Sequence, residues 1–178
     1  MKSRTIIVVF VLLTVSLALA GEQKFSKGRL FLIPQFTYYS YAPNLGVSME
    51  YSLTENIGIG ASFMIAFWST DLGALGKTSE SLITPSLDAY YHFTKIGVKK
   101  IDLFAGLSLG YSIYSWSWDL AGSKWGEAGT SSFYLSPTLG VRYYLTQKLA
   151  LCLKSHLSAI GDWAGIGGEL GLSINLNK

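Results

Sequence analysis

Residues 101–113 read IDLFAGLSLGYSI. The odd positions, Ile101, Leu103, Ala105, Leu107, Leu109, Tyr111 and Ile113, are all apolar, while the even ones include Asp102, Gly106, Ser108, Gly110 and Ser112. A strict period of two over this length marks a β-strand whose faces meet different surroundings. The same alternation extends in both directions along the chain. It runs through Leu45, Val47, Met49, Tyr51, Leu53; Ile57, Ile59, Ala61, Phe63, Ile65, Phe67; and Ile83, Pro85, Leu87, Ala89, Tyr91, Phe93. Beyond the quoted stretch it continues with Phe133, Leu135, Pro137, Leu139, Val141, Tyr143, Leu145; Leu149, Leu151, Leu153, Ser155, Leu157; and Leu170, Leu172, Ile174, Leu176. None of these positions is charged.

The opposite face carries Gly46, Ser48, Gly58, Gly60, Ser62, His92, Gly106, Ser108, Gly110, Gly171, Ser173 and Asn175, and six charges: Glu50, Asp88, Asp102, Arg142, Lys154 and Glu169. A soluble barrel also alternates, so the choice rests on which face meets solvent. Water-facing surfaces are roughly a quarter to a third charged, and this glycine-rich face falls well short of that. It suits a crowded lumen, and the uncharged face of large side chains suits lipid. An eighth strand, Arg29 to Tyr41, alternates less cleanly because Leu30, Phe31, Leu32 and Ile33 fill both faces. Pro34 within it removes a ladder donor, which predicts a bulge or a weakly paired position. The expected fold is all-β: an eight-stranded antiparallel up-and-down transmembrane β-barrel, closed because an open edge in hydrocarbon leaves backbone groups unpaired.

Three strands end on one short phrase, Tyr51-Ser52-Leu53-Thr54, Tyr91-His92-Phe93-Thr94 and Tyr143-Tyr144-Leu145-Thr146. Each leads into a short connection, Glu55-Asn56, Lys95 to Lys100, or Gln147-Lys148, so these turns share one end of the barrel. The longer segments Ser69 to Ser81, Ser115 to Thr130 and Ser158 to Gly165 are expected as loops at the other end. Short turns on the periplasmic side and long outer loops are the asymmetry of outer-membrane barrels. Tyr51, Tyr91 and Tyr143 near the turns, with Phe63, Phe67, Tyr111 and Phe133 near the loops, read as two interfacial girdles.

The chain starts with Lys2 and Arg4, an uncharged run from Thr5 to Leu17, and Ala18-Leu19-Ala20 before Gly21. This is the pattern of a cleaved secretory signal, and the 16 residues from Thr5 to Ala20 fall short of the roughly 20 that cross a bilayer as a helix. The expected organisation is a signal peptide over 1–20 and one barrel domain over 21–178. Gly21 in place of cysteine excludes an acylated N-terminus. The whole chain has 14 basic and 11 acidic residues; removing the signal leaves a balance that gives no support to a nucleic-acid partner. The single cysteine, Cys152, has no internal disulfide partner and reads as a sequestered thiol.

Export signal, alternating strands of about ten residues, the repeated Tyr-x-[Leu/Phe]-Thr phrase and the last strand Leu170 to Leu176 together resemble the small outer-membrane barrel domain of the outer-membrane protein A, X and W class. The resemblance covers roughly Phe25 to Lys178 and is one of pattern. It implies outer-membrane lipids and the barrel-assembly machinery as partners. Such chains often finish on an aromatic residue, whereas this one ends Leu176-Asn177-Lys178.

The six inward charges could line an ion path, but eight strands enclose a lumen that side chains fill, so a packed polar plug is the favoured reading. Lys154 and Glu169, equally far from their shared loop, are expected to pair directly. His156, Ser158 and Glu169 resemble the His-x-Ser and acid set of outer-membrane lipid A deacylases, but Ala159 stands where those enzymes carry asparagine, and alternation turns His156 and Glu169 into the lumen. No catalytic site is read. With two histidines and no zinc, phosphate or calcium motif, no metal site or cofactor is expected either. Trp68, Trp116, Trp118, Trp125 and Trp163 all fall at or in the expected outer loops. They read either as interfacial anchors or as contact residues of an adhesive or glycan-binding surface.

The functional expectation is a non-enzymatic envelope or surface-interaction barrel acting through its outer loops on an unidentified surface ligand. The rival is a narrow channel or carrier for small apolar molecules. A lumen closed by charge pairs favours the first; an apolar cavity under Trp116 and Trp118 favours the second. Strand parity makes a direct prediction. With Cys152→Ser as background, Lys77→Cys and Lys124→Cys should react on whole cells with a thiol reagent that cannot cross the outer membrane, while Glu55→Cys and Gln147→Cys should not. Equal labelling at all four positions would break the strand count.

Overall fold

In the computed structural model the described residues are 25–39, 42–95, 100–120, 123–157 and 166–177. The expected signal peptide, Ser158 and Trp163 lie outside them. Eight strands follow in chain order: β1 (Leu30–Tyr39), β2 (Ala42–Ser52), β3 (Ile57–Asp71), β4 (Lys77–His92), β5 (Ile101–Leu120), β6 (Ser123–Tyr144), β7 (Leu149–Leu157) and β8 (Ile166–Asn175). Each pairs antiparallel with the next, and β1 pairs with β8 to close the barrel. This is the eight-stranded up-and-down architecture expected from the alternation.

The faces fall as the sequence pattern requires. Leu87, Leu109, Leu139 and Leu153 are exposed on the outside, while Glu50, Asp102, Ser108, Arg142 and Lys154 are buried inside. β1 is two-faced for a structural reason: Phe31, Ile33, Gln35 and Thr37 point inward and are buried, and Phe36 and Tyr38 point outward. Phe31 and Ile33 therefore belong to the lumen, where they help fill the short-turn end.

The repeated turn phrase is explained by its threonine. Thr54 Oγ1 accepts from the backbone N–H of Asn56 and of Ile57, and Thr146 Oγ1 accepts from those of Lys148 and Leu149. The hydroxyl thus holds the tight turn by satisfying donors that the ladder leaves open. At the third turn Thr94 Oγ1 accepts from the Asn56 side chain, which ties two neighbouring turns together.

Pro34 is paired to β2 through Val47, but the ladder to β8 runs Phe31↔Asn175, Leu32↔Ile174 and then resumes at Gln35↔Gly171. The constant register means a weakly paired position and not a bulge. Pro85 repeats the arrangement, paired to Phe63 on one side with the β4–β5 ladder interrupted between Ile83 and Ser86. Pro137, paired to Leu107, lies just beyond the last β6–β7 pair at Thr138↔His156. In each case the side without an N–H faces a gap in the ladder.

Two of the expected outer loops are corrected. Segment 69–81 is mostly strand, with only residues 72–76 between β3 and β4, and segment 115–130 is almost entirely the β5–β6 hairpin. The reason is an inversion of polarity. Past Ile65, Ile83 and Ile113 the outward register carries Ser69, Asp71, Lys77, Ser79, Ser115 and Ser117, and the inward register carries Trp68, Glu80, Leu82, Tyr114, Trp116 and Trp118. Alternation persists, but with the apolar side turned in, so a template with apolar residues outside does not recognise it. The strands β3 to β6 therefore form a tall wall above the shorter β1, β2, β7 and β8.

Leu107 sits midway along the lipid-facing run of β5, 45% exposed, beside the buried Ser108. Leu107→Arg should lower unfolding stability by about 2–4 kcal/mol, measured as the urea midpoint of the barrel refolded in lipid vesicles. An unchanged midpoint would mean that the faces are reversed.

Candidate functional site

Small residues on the inward register make room for large ones on neighbouring strands. A Cβ at Gly58 would collide with the Glu50 carboxylate, one at Gly106 with the Tyr90 ring, and one at Gly140 with the Phe104 ring. This interleaving lets an eight-stranded lumen hold a complete set of aromatic and charged side chains.

At the short-turn end four ionisable side chains from four strands close a ring. Arg142 Nη2 donates to Glu50 Oε2 at 2.5 Å, and Arg142 Nη1 lies 3.6 Å from Asp102 Oδ2. His92 stands between the same two carboxylates, with Nε2 at 2.8 Å from Glu50 Oε1 and Nδ1 at 2.9 Å from Asp102. A ring with a carboxylate at each nitrogen is satisfied when both nitrogens carry hydrogen; the cluster is then two anions against two cations. All four residues are at most 4% exposed. Aromatic rings cover the cluster: Phe25 stacks on His92 at 3.5 Å between centroids, and Phe31 lies 4.4 Å from the Arg142 guanidinium carbon. Tyr90, Phe104, Tyr144, Ile33 and Cys152 complete the packing. The lumen is plugged here.

Nearer the middle, Lys154 Nζ lies 2.6 Å from Glu169 Oε1, and the two are direct cross-strand partners. His156 Nε2 is 3.0 Å from Glu169 Oε2, and its Nδ1 is 3.0 Å from Thr138 Oγ1. Asp88, the last of the six charges read from the sequence, accepts from Ser62 at 2.5 Å and from Ser86 at 3.2 Å. Above these groups lies a chamber of about 80 Å³, lined by residues such as Thr37, Ser86, Ser108, Tyr134, Ser136 and Glu169. Polar side chains are numerous in that lining, but most of its surface is carbon, with Met64, Leu82, Tyr90 and Tyr134 among the residues that form it.

At the mouth, the inward side of the tall wall gathers Trp68, Trp116 and Trp118. Trp68 and Trp116 are the direct cross-strand neighbours of Glu80 on either side. Tyr114 donates its hydroxyl to Glu80 at 2.5 Å and packs its ring 6.1 Å from that of Trp68. Trp118 Nε1 donates to the Leu75 carbonyl at 2.8 Å, on the short 3-10 turn Gly73–Leu75. Trp68, Trp116 and Trp118 thus sit on strands facing the barrel axis and not in loops or against lipid, which corrects both their expected location and the interfacial-anchor reading for these three. Trp125 also falls within a strand, β6.

Sequence reasoning named the six lumen charges but missed how His92 and Phe25 join them. The signal available was parity: His92 lies on the inward register, one residue from the end of its alternating run. His156 and Glu169 are brought together inside the lumen, away from the lipid face that a lipid hydrolase needs. Among the described residues no group of three or more His, Cys, Asp or Glu side chains is arranged to hold a metal ion.

The plug generates a stability prediction. Arg142→Met should cost about 3–5 kcal/mol by leaving buried carboxylates without their guanidinium. Combining it with Glu50→Gln should cost less than the two changes added separately, as read from a double-mutant cycle on urea unfolding. Simple additivity would mean that the two groups do not interact.

No family model and no curated protein matches this chain in sequence. Solved structures do match in shape. The outer membrane protein OprG from Pseudomonas aeruginosa aligns with a TM-score of 0.65 at 12% identity, covering 89% of this chain and 100% of that one. The N-terminal β-barrel domain of Pseudomonas aeruginosa OprF aligns with a TM-score of 0.53 at 20% identity, covering 84% and 98%. Ail, the attachment invasion locus protein of Yersinia pestis, aligns with a TM-score of 0.52 at 11% identity, covering 84% and 97%. With its closed eight-strand sheet and apolar exterior, this chain has the fold of the small outer-membrane β-barrels.

Proposed function

We propose that this chain is a non-conducting, non-enzymatic barrel of the bacterial outer membrane, exported by a cleaved signal, whose task is performed at the mouth formed by β3 to β6. The observation that carries the reading is the plug. A charge ring that is buried and capped by Phe25 and Phe31 fills the lumen at the short-turn end, which supports a barrel that does not conduct. What remains for contact with other molecules is the tall wall, whose half-buried aromatics and carboxylate are a recognition surface. Outer-membrane lipids against the apolar exterior and the barrel-assembly machinery are the expected partners, alongside a surface ligand.

A second reading, a carrier for small apolar molecules, draws on the same inward aromatics. The largely apolar surface of the chamber beneath them supports it, while Asp88 and Glu169 in the same lining and the buried charge ring at the short-turn end oppose passage of an apolar solute along the axis. The two readings separate on transport. The protein should fractionate with the outer membrane, shift mobility on a gel when boiled, and release no trapped small sugar or dye when reconstituted into vesicles. Recovery in the soluble periplasmic fraction, or solute release well above empty vesicles, would overturn the proposal.

A further inference from the structure

The mouth has a defined chemistry at its centre. Across β3, β4 and β5 one inward row reads Trp68, Glu80, Trp116. Neighbouring strands are about 4.8 Å apart, so the backbones of Trp68 and Trp116 flank that of Glu80; the Trp68 ring packs by Tyr114 and the Trp116 ring lies beside Gly126 on β6. Tyr114 holds the Glu80 carboxylate from below through its hydroxyl. Trp118 is fixed two residues above Trp116 by its bond to the Leu75 carbonyl. Among the described residues no ion pair compensates Glu80; the basic side chain nearest along its own strand, Lys77, is on the outward register and exposed.

Aromatic faces and a carboxylate share one preference. The negative face of an indole attracts a cation, and the attraction is strongest when the cation is large, poorly hydrated and partly desolvated. A carboxylate at the centre of such a group adds charge complementarity and repels anions. A neutral sugar could stack on the indoles but would use the carboxylate only as an acceptor, and an acidic glycan would be opposed by it. We propose that Trp68, Glu80, Tyr114 and Trp116 form a binding site for an organic ammonium ion, an alkylated ammonium head group held against these aromatic side chains with its charge toward Glu80. The inference rests on the mouth being the working end of the barrel, and it names the ligand class for that surface. The head group could be a free solute or part of a phosphocholine conjugate; both present the same trimethylammonium chemistry.

The test uses the full barrel folded in an uncharged polyoxyethylene detergent, with tryptophan emission followed during titration with choline. A saturable change is expected. The neutral isostere 3,3-dimethyl-1-butanol should bind about tenfold or more weakly, as cation–π recognition requires. Glu80→Gln and Trp116→Leu should each weaken choline binding to a similar degree while keeping the heat-dependent gel shift that reports a folded barrel. Phosphocholine supplies the second arm: a response equal to choline identifies the conjugated head group as the source, and a clear preference for choline identifies the free solute. Equal binding of the neutral isostere, an unchanged affinity in Glu80→Gln with the fold intact, or saturable binding of glucose in place of choline would overturn the site. Labelling at position 77 on whole cells keeps the two ideas apart. Binding without surface labelling overturns the proposed orientation alone, and surface labelling without binding overturns this site alone.

Discussion

Every backbone N–H and C=O in the hydrocarbon layer has to find a partner inside the protein, because the layer offers none. For a chain of alternating strands the solution is closure, and the pairing of β1 with β8 is what achieves it. The rest of the structure is adjusted to that demand. The prolines at 34, 85 and 137 are placed so that each missing donor faces a break in one ladder while the other ladder continues. The seam is reinforced at the short-turn end, where Leu30 N–H donates to Asn177 Oδ1 at 2.6 Å, Asn177 Nδ2 donates to the Gly28 carbonyl at 3.1 Å, and Leu176 N–H donates to the Leu30 carbonyl at 2.8 Å.

Closure at eight strands fixes the lumen's width, and width decides chemistry. A cylinder this narrow must be filled by side chains, so glycines opposite Tyr90, Phe104 and Glu50 are a condition of the fold. Charges in such an interior persist only where other charges and hydrogen bonds replace water. Arg142 therefore meets two carboxylates, and the same carboxylates meet His92. Because the four groups come from β2, β4, β5 and β6, the ring bonds together strands that are not all neighbours. It acts as a cross-brace as much as a plug.

This difference between neighbouring and distant strands explains what was legible beforehand. Lys154 and Glu169 pair across one hairpin, so counting residues from the shared loop finds them. Glu50 and Arg142 are 92 residues apart and meet only through the closed lumen, a relation that no local pattern encodes. Phe25 sits before the first strand and reaches His92 through the turn at Gly28, whose φ of 82° suits glycine. The lipid-facing residues were legible because one solvent, hydrocarbon, selects them uniformly. The upper boundaries were not, because the solvent changes partway along β3 to β6 and the outward register changes from isoleucine and phenylalanine to serine.

That inversion has a consequence for binding. An aromatic face turned inward in water would ordinarily collapse on an opposing apolar layer, as the two sheets of a sandwich do. Here the lower halves of the same strands are held apart by the plug and by a closed ladder, so the wall keeps its curvature without needing a second layer to support it. Tyr114 and Trp118 are already tied to Glu80 and Leu75. Side chains fixed in this way lose little further freedom when a ligand arrives, and the ordering cost that usually weakens binding to flexible loops is reduced. The same property separates this mouth from a loop-borne adhesive surface: Trp68, Glu80 and Trp116 are brought side by side by cross-strand register, which backbone hydrogen bonding sets.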